Sequence, residues 1–571
     1  MKKLKQDVAY DLRSMISHTA HRLPEKDYLV YKRGGGLESL DFQGLEERVR
    51  ALGETFLDLG LAGESIAVIG ETSPEWIITY LATIIIGSVI VPLDKELSHD
   101  AISGFVKRAG CKAFVYSHKF SSMVEENKEA FDGVDYKICF SPEEKEMPSS
   151  RPEKGNSDFL QFLNYGRSLV EVGSDRYDSV PVDLEKVCAI LFTSGTTGTS
   201  KGVMLCQKNI IHAINASYHC TGFEENDTVV SVLPIHHTYE MTCGILTPLF
   251  IGATVCINDS LKYIVRNFQL FRPTGLVLVP LFVTTVYKKI WETARKGKKD
   301  KLLRGSITVS EALRKVKIDP RSVLFKSVQD VFGGRLKRII CGGAPMPAEL
   351  VKEFDAFGIK LCQGYGITEC APLISVCPED DNRPGSVGPA IPGVQVKIDV
   401  EEEEDGKQIG EIIVKGPNIM KGYFGDDEAT NEVLSGAWFR TGDYGYLDED
   451  GFIFITGRKK NVIVLNNGKN VFPEEIEEYL YKIDLVSECV VVGRKGEEDN
   501  VVVTALIYPD FAKAEEQGLG TDLNEIGAVI KEKIAELNRT LPSFKQIRGM
   551  EMRRTEFEKN TSKKIVRYKI K

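Results

Sequence analysis

An apolar run, Val187 to Phe192, has the composition of a buried strand, and Gln207 to His219 has the spacing of a helix. Between them stands Thr193-Ser194-Gly195-Thr196-Thr197-Gly198-Thr199-Ser200-Lys201-Gly202-Val203. Glycines allow backbone N–H groups to converge on an anion, hydroxyls add donors, and Lys201 adds charge. The stretch lacks the G-x-x-x-x-G-K-[ST] spacing of a Walker A loop. It reads as a phosphate-wrapping loop between strand and helix; by itself it leaves open a flexible connector.

The rest of the chain repeats that alternation. Ser65 to Gly70, Val89 to Leu93 and Lys112 to Tyr116 read as strands, with helices Pro74 to Ile86 and Ser98 to Ala109 between them. Ser73 is placed to cap the first helix, Pro74 occupies its first turn and Gly87 its end. Further strands are expected near Val229 to Leu233, Gly275 to Val279, Leu336 to Cys341 and Ile359 to Gln363. This rhythm predicts α/β architecture with parallel sheet. Residues 118 to 157 are polar and read as surface excursions, and Leu281 to Gly334 reads as a long helical segment. Its basic run, Arg295-Lys296-Gly297-Lys298-Lys299, suits a solvated helix end, with phosphate or membrane contact as the alternative.

From Val394 to Tyr446 the runs shorten and alternate, predicting antiparallel strands; Glu401 to Glu404 reads as an acidic turn between them. After Gly457-Arg458-Lys459-Lys460 comes a compact α+β tail. The expected fold is a large N-terminal domain of parallel-sheet α/β units plus a β-rich subdomain, residues 1–458, followed by a small mobile C-terminal lid domain, residues 459–571.

A chain of 571 residues exceeds a single core, and its 42% hydrophobic and 27% charged residues are ordinary for a soluble enzyme. A net charge of −9 argues against a nucleic-acid binder. The twelve cysteines are scattered without a C-x-x-C pair, which favours reduced thiols and a cytoplasmic setting over a zinc site or disulfide framework. No signal peptide is read at the N-terminus, and Gly87 and Pro92 interrupt the most apolar window, Trp76 to Leu93.

Three further motifs carry chemistry. Gly342-Gly343-Ala344-Pro345 follows a strand and lets a flat ligand approach backbone, although a tight turn explains it equally. Gln363-Gly364-Tyr365-Gly366-Ile367-Thr368-Glu369 ends another strand, where open α/β sheets place ligands. There Tyr365 offers a ring face, Thr368 a hydroxyl and Glu369 a hard oxygen for Mg²⁺. In Trp438-Phe439-Arg440-Thr441-Gly442-Asp443, the carboxylate of Asp443 can take two hydrogen bonds from a ribose diol.

In order and wording these motifs resemble the AMP-forming adenylating enzymes: acyl-CoA synthetases, peptide-synthetase adenylation domains and firefly-type luciferases. The resemblance implies that the loop with Thr193, Ser194, Gly195, Thr196, Thr197, Gly198 and Lys201 handles ATP phosphates. It assigns adenine, phosphate and Mg²⁺ to the Gly343, Ala344 and Gly364, Tyr365, Gly366, Thr368, Glu369 motifs, and ribose to Asp443, with Arg458 as a further nucleotide contact. Lys460 takes the hinge position. In Phe557-Glu558-Lys559-Asn560-Thr561-Ser562-Lys563-Lys564-Ile565-Val566-Arg567, the family lysine that reaches the α-phosphate aligns with Lys564, although Lys563 stands where the family usually has Gly. Leu233-Pro234-Ile235-His236-His237 resembles the segment walling the carboxylate end of the acyl pocket, with His237 aligning best.

The implied reaction uses ATP, Mg²⁺ and coenzyme A: a carboxylate becomes acyl-AMP with release of pyrophosphate, and a thiol then displaces AMP. The helical segment after Pro280-Leu281-Phe282 looks like that of long-chain fatty acyl-CoA synthetases. An acyl carrier protein as acceptor and a non-catalytic nucleotide-binding regulator are the alternatives. The expected partners are small molecules, without nucleic acid and with at most peripheral membrane contact.

Overall fold

The helix Pro74–Ile85 shows how local signals set an element. The Ser73 side chain accepts from Trp76 N–H, Pro74 needs no donor there, and Gly87 leaves the helix at φ 77°. Every side of this helix is buried except at Glu75, so it packs as an interior element. The computed structural model describes residues 8–141, 147–193, 200–344, 346–404, 406–466, 469–496, 500–559 and 565–570. Contacts divide the chain into one unit of Met1–Gln395 with Lys415–Phe439 and another of Val396–Val414 with Arg440–Lys571.

The first unit contains two eight-stranded sheets. One runs Gly422–Tyr423, Lys201–Cys206, Val187–Thr193, Val89–Leu93, Ser65–Ile69, Cys111–Ser117, Tyr136–Phe140, Gly155–Asp158. From Val187–Thr193 onward its pairings are parallel, and the two at the other edge are antiparallel. The other runs Leu373–Val376, Lys360–Gly366, Arg338–Cys341, Gly275–Leu278, Thr228–Ser231, Thr254–Ile257, Asp27–Arg33, Gly36–Asp41, parallel except for the outermost pair at each edge. The cores lie against these sheets. Ile69, Val91, Phe114 and Phe131 anchor one; Leu276, Ile339, Phe354 and Leu361 anchor the other.

The expected parallel-sheet α/β architecture is present, with two differences inside the first unit. Tyr136–Phe140 and Gly155–Asp158 extend a sheet within the stretch read as surface excursions. Only Tyr136, Ile138 and Phe140 alternate inward there, a signal too short to stand out from charged flanks. The phosphate-type loop returns as a strand, Lys201–Cys206, before the helix Gln207–Thr221 begins. The long helical segment consists of Pro280–Lys296, Asp300–Lys315, Arg321–Leu324 and Lys326–Val331.

The second unit holds the strands Gln395–Glu404, Lys407–Lys415, Trp438–Leu447 and Ile453–Arg458, then a three-stranded sheet of Val486–Lys495, Val501–Pro509 and Gly549–Met552. Helices Pro473–Leu480 and Leu523–Asn538 supply Ile476, Leu480, Ile526 and Ile530 to its core. Glu401 to Glu404 is the end of a strand rather than a turn: Glu401 pairs with Lys459, Glu402 accepts from Asn470, and Glu404 pairs with Lys545. Contacts group residues 396–414 and 440–458 with the tail, whereas the sequence places a boundary at 458/459. Ile409, Tyr444 and Phe472 share one apolar cluster, and Lys545 bridges Glu404 and Glu475.

Candidate functional site

Thr193 ends one strand, Lys201 starts the next, and the two are cross-strand partners. This pairing brings together the flanks of the glycine- and hydroxyl-rich loop; Ser194, Gly195, Thr196, Thr197 and Gly198 lie outside the described residues. The Lys201 ammonium stands 4.6 Å from the centre of the Tyr423 ring, a cation–π distance. Tyr423 Oη donates to Glu369 Oε1 at 2.9 Å. Burial, reinforced by the facing Glu369 carboxylate, raises the Tyr423 phenol well above its ordinary range, so it remains a donor. Lys201 and Glu369, assigned to separate motifs in the sequence, are therefore joined through a residue that no motif singled out. Tyr423 belongs to a two-residue strand, Gly422–Tyr423, and only its pairing with Met204 and Val203 places it here.

Glu369 lies in the turn Thr368–Cys370, directly after the strand Lys360–Gly366. Its backbone carbonyl accepts from Met420 N–H at 2.8 Å. Ahead of it, Gly366 meets a close crossing of the chain: a Cβ there would sit 1.9 Å from the Pro372 carbonyl oxygen. That oxygen already accepts from Ile367 N–H at 2.8 Å, so the turn that aims Glu369 requires glycine. Among the described residues no three metal-ligating side chains cluster. One hard carboxylate nevertheless suits Mg²⁺, which takes one or two protein carboxylates and fills its remaining positions with phosphate and water oxygens.

Gly343, Gly364, Tyr365 and Gly366 line a cavity of about 50 Å³ together with Gly342, Tyr239 and other mainly apolar residues. It lies beside the carboxyl-terminal residues of Gly275–Leu278, Arg338–Cys341 and Lys360–Gly366, with Val277 and Ile340 in its wall. Tyr239 Oη lies between two of these strands beneath Gly342, 3.1 Å from Ile340 O and 3.3 Å from Leu278 O, with its one proton to donate to either. Ala344 is exposed beside the cavity rather than part of its wall. Tyr239 opens a π-helix, Tyr239–Leu246, a rare geometry that often marks functional segments.

His236 and His237 pack ring to ring at 4.1 Å, and neither lines the cavity. It is His236 whose Nε2 lies 3.5 Å from Asp94 Oδ2, at the end of the strand Val89–Leu93. Burial, with the neighbouring His237, depresses His236 to about 3, so this imidazole is neutral at physiological pH. Glu240 is fully buried; Ser231 Oγ donates to its Oε1, and its Oε2 has no hydrogen-bond partner among the described residues. Burial pushes its carboxyl up to about 8. Glu240 thus ties the start of the π-helix to the end of the strand Thr228–Ser231, with the two histidines in the connection between them. Sequence spacing held no signal for Asp94 or Glu240; an isolated acid after a strand or in an apolar helix looks like a surface residue.

In the second unit Asp443 is buried, and Arg458 Nε donates to its Oδ1 at 2.8 Å across paired strands. The same sheet edge fixes Gly442 N–H on Glu411, which also holds Arg440 and Lys459. Lys460 follows in the turn Lys459–Asn461, exposed. Lys559 and Ile565 are antiparallel bridge partners; Lys563 and Lys564 lie outside the described residues. Arg567 inserts against buried Glu477, whose carboxyl burial raises to about 7 despite that cation.

A two-sheet α/β unit with an apolar, glycine-lined cavity near its strand ends, followed by a smaller α+β unit, is an architecture of the open α/β class, in which ligands bind at the carboxyl ends of the strands. The description AMP-binding enzyme matches residues 16–424, and AMP-binding enzyme C-terminal domain matches residues 460–570. The chain belongs to the AMP-binding enzyme family. Among its relatives, the peroxisomal long chain acyl-CoA synthetase 6 of Arabidopsis thaliana is 30% identical, covering 88% of this chain and 74% of its own. A long-chain-fatty-acid–CoA ligase of Mycobacterium bovis is 27% identical, over 83% and 78%. The anthranilate CoA ligase AuaEII, solved with anthranoyl-AMP, shares the fold at TM-score 0.75 and 17% identity, over 100% of this chain and 98% of its own. Among the described residues no helix is long and apolar enough to cross a membrane.

Proposed function

We propose that this protein activates a fatty acid with ATP, forming acyl-AMP and pyrophosphate, and passes the acyl group to the thiol of coenzyme A with release of AMP. The carrying observation is the chain Lys201–Tyr423–Glu369, which joins the phosphate-type loop to the second motif beside an apolar cavity. Residues 193–198 and Lys201 hold the β- and γ-phosphates. Gly343, Ala344, Gly364, Tyr365 and Gly366 hold adenine, Thr368 a phosphate oxygen and Asp443 the ribose, with Arg458 as a further nucleotide contact. Glu369 holds Mg²⁺, which supplies positive charge against the phosphate oxygens. His237 walls the substrate carboxylate, and Lys564 meets the charge that grows on the α-phosphate. Oxide is a poor leaving group from a carboxylate, so exchanging it for AMP makes the carbonyl reactive toward a thiol. Residues 459–571 then turn about Lys460, withdrawing Lys564.

A long acyl chain is favoured by the helical insert after Pro280, by the apolar cavity walls and by the names of the relatives. At about 50 Å³ the cavity is far below the ~300–1,000 Å³ of an occupied ligand pocket, so the chain enters as the walls part. Each buried methylene then contributes about 0.8 kcal/mol.

The test is a panel of carboxylates with ATP, following AMP and pyrophosphate with and without coenzyme A. AMP and pyrophosphate should form only with acid present, and rates should rise from acetate toward long fatty acids. ADP and phosphate as products would refute the chemistry; preference for acetate, benzoate or an amino acid would refute the chain-length assignment.

A further inference from the structure

The helix Asp300–Lys315 has apolar residues on two sides. Leu303 and Ile307 turn inward against the core, and Arg314 pairs with Asp355 at 2.8 Å. On the other side Leu302, Gly305, Val309, Ala312 and Val316 follow one another at spacings of three and four, which places them on one helical face. All five are exposed, Leu302 at 68%, Val309 at 52% and Val316 at 65%. Beyond the end of the helix, Ile318 and Val323 are also exposed, at 54% and 79%. Scattered exposed apolar residues are ordinary; a continuous row is not.

Cations border the row at both ends. Lys296, Lys298, Lys299 and Lys301 precede it and Lys315 and Lys317 follow it. All six are exposed, and no acidic group among the described residues pairs with them. Residues 280–331 contain thirteen Lys or Arg against five Asp or Glu, or +8, in a chain whose total is −9. The basic run that suits a solvated helix end in the sequence is thus half of a mixed surface, and the folded helix supplies the other half.

We propose that this insert docks the protein on an anionic lipid surface, with the row Leu302–Val316 entering the acyl boundary and the flanking lysines meeting lipid phosphates. A bilayer interface suits this composition because it makes no hydrogen-bonding demand on apolar side chains and concentrates negative charge beside them. The preceding helix, Pro280–Lys296, starts at the wall of the candidate site: Val279 lies 3.6 Å from where a Cβ on Gly343 would be. Docking therefore brings a lipid surface within one helix of the cavity, and it does so whichever acid is activated.

The test uses the full chain in co-sedimentation with vesicles of phosphatidylcholine alone or mixed with phosphatidylglycerol, across a salt series. The protein should partition onto the mixed vesicles and come off as salt rises. Lys298→Glu, Lys299→Glu and Lys301→Glu combined should weaken partition by about a hundredfold, at about fivefold for each cation lost. Leu302→Ser, Val309→Ser and Val316→Ser combined should weaken it at every salt concentration. Both variants alter exposed side chains, so thermal midpoints should match the parent and separate docking from folding. Equal binding to neutral vesicles, no binding at all, or unchanged binding by either variant would overturn the proposal. Binding by an acidic soluble protein in place of the vesicles would overturn it as well.

Discussion

Gly366→Ala tests whether the turn that aims Glu369 controls catalysis. The added Cβ would lie 1.9 Å from the Pro372 carbonyl oxygen, where real Cβ contacts stay beyond 3.0 Å. Backbone must therefore move by about 1 Å, and the obstructing oxygen cannot swing away because Ile367 N–H holds it at 2.8 Å. Thr368 and Glu369 follow within three residues, so the shift reaches them. A misplacement of about 1 Å in a reacting constellation costs on the order of 10² in rate; overpacking of this kind also costs about 1–3 kcal/mol in stability. The assay is acid-dependent pyrophosphate release at saturating ATP, with the thermal midpoint measured alongside. Gly104→Ala is the control, since nothing lies within 4 Å of its Cβ and its helix, His99–Arg108, favours alanine. Gly104→Ala should leave the rate unchanged. Activity of Gly366→Ala within about threefold of the parent, against the expected 10² loss, would refute the close-crossing argument.

Three further outcomes are expected. Lys564→Ala should slow adenylation by about 10²–10³ while pre-formed acyl-AMP still reacts with coenzyme A, and Lys460→Pro should do the reverse by restricting the hinge; single-turnover kinetics of each step decides, and loss with Lys563→Ala instead would move the assignment by one residue. Glu240, held at about 8 against an ordinary 4.5, stabilises the fold fully only below pH 4.5, and that contribution drains as pH rises to about 8, at up to roughly 1.4 kcal/mol per pH unit. Glu240→Gln removes this dependence, so its thermal midpoint should gain on the parent from pH 5.5 to pH 8, and a constant gap would refute the buried-carboxyl reading. Arg567→Ala strips the cation from buried Glu477, a loss of about 3–5 kcal/mol for a broken buried pair; because Glu477 titrates near 7, denaturation of the second unit should be affected more at pH 8 than at pH 6.

What the sequence determines by itself is local. Ser73, Pro74 and Gly87 fix the ends of Pro74–Ile85 through capping and backbone freedom that involve only their neighbours. Apolar runs identify the strands Val187–Thr193, Gly275–Leu278 and Arg338–Cys341 for the same reason: side-chain periodicity is a property of the segment. The order of the motifs likewise identifies the family without a coordinate. Tertiary structure decides what meets what. Tyr423 reaches Glu369 and Lys201 because Gly422–Tyr423 pairs with Lys201–Cys206, and nothing near Tyr423 in the chain encodes that partner. The Glu401–Glu404 run becomes a strand end because Lys459, Asn470 and Lys545 neutralise or bond it from later parts of the chain. Helix Asp300–Lys315 marks the limit most clearly. Its sequence offers two apolar faces, and only packing against the core selects Leu303 and Ile307 for burial and leaves Leu302, Val309 and Val316 in solvent. A helix has one period whichever face is buried; which face lies against the core is set by contacts far away in sequence.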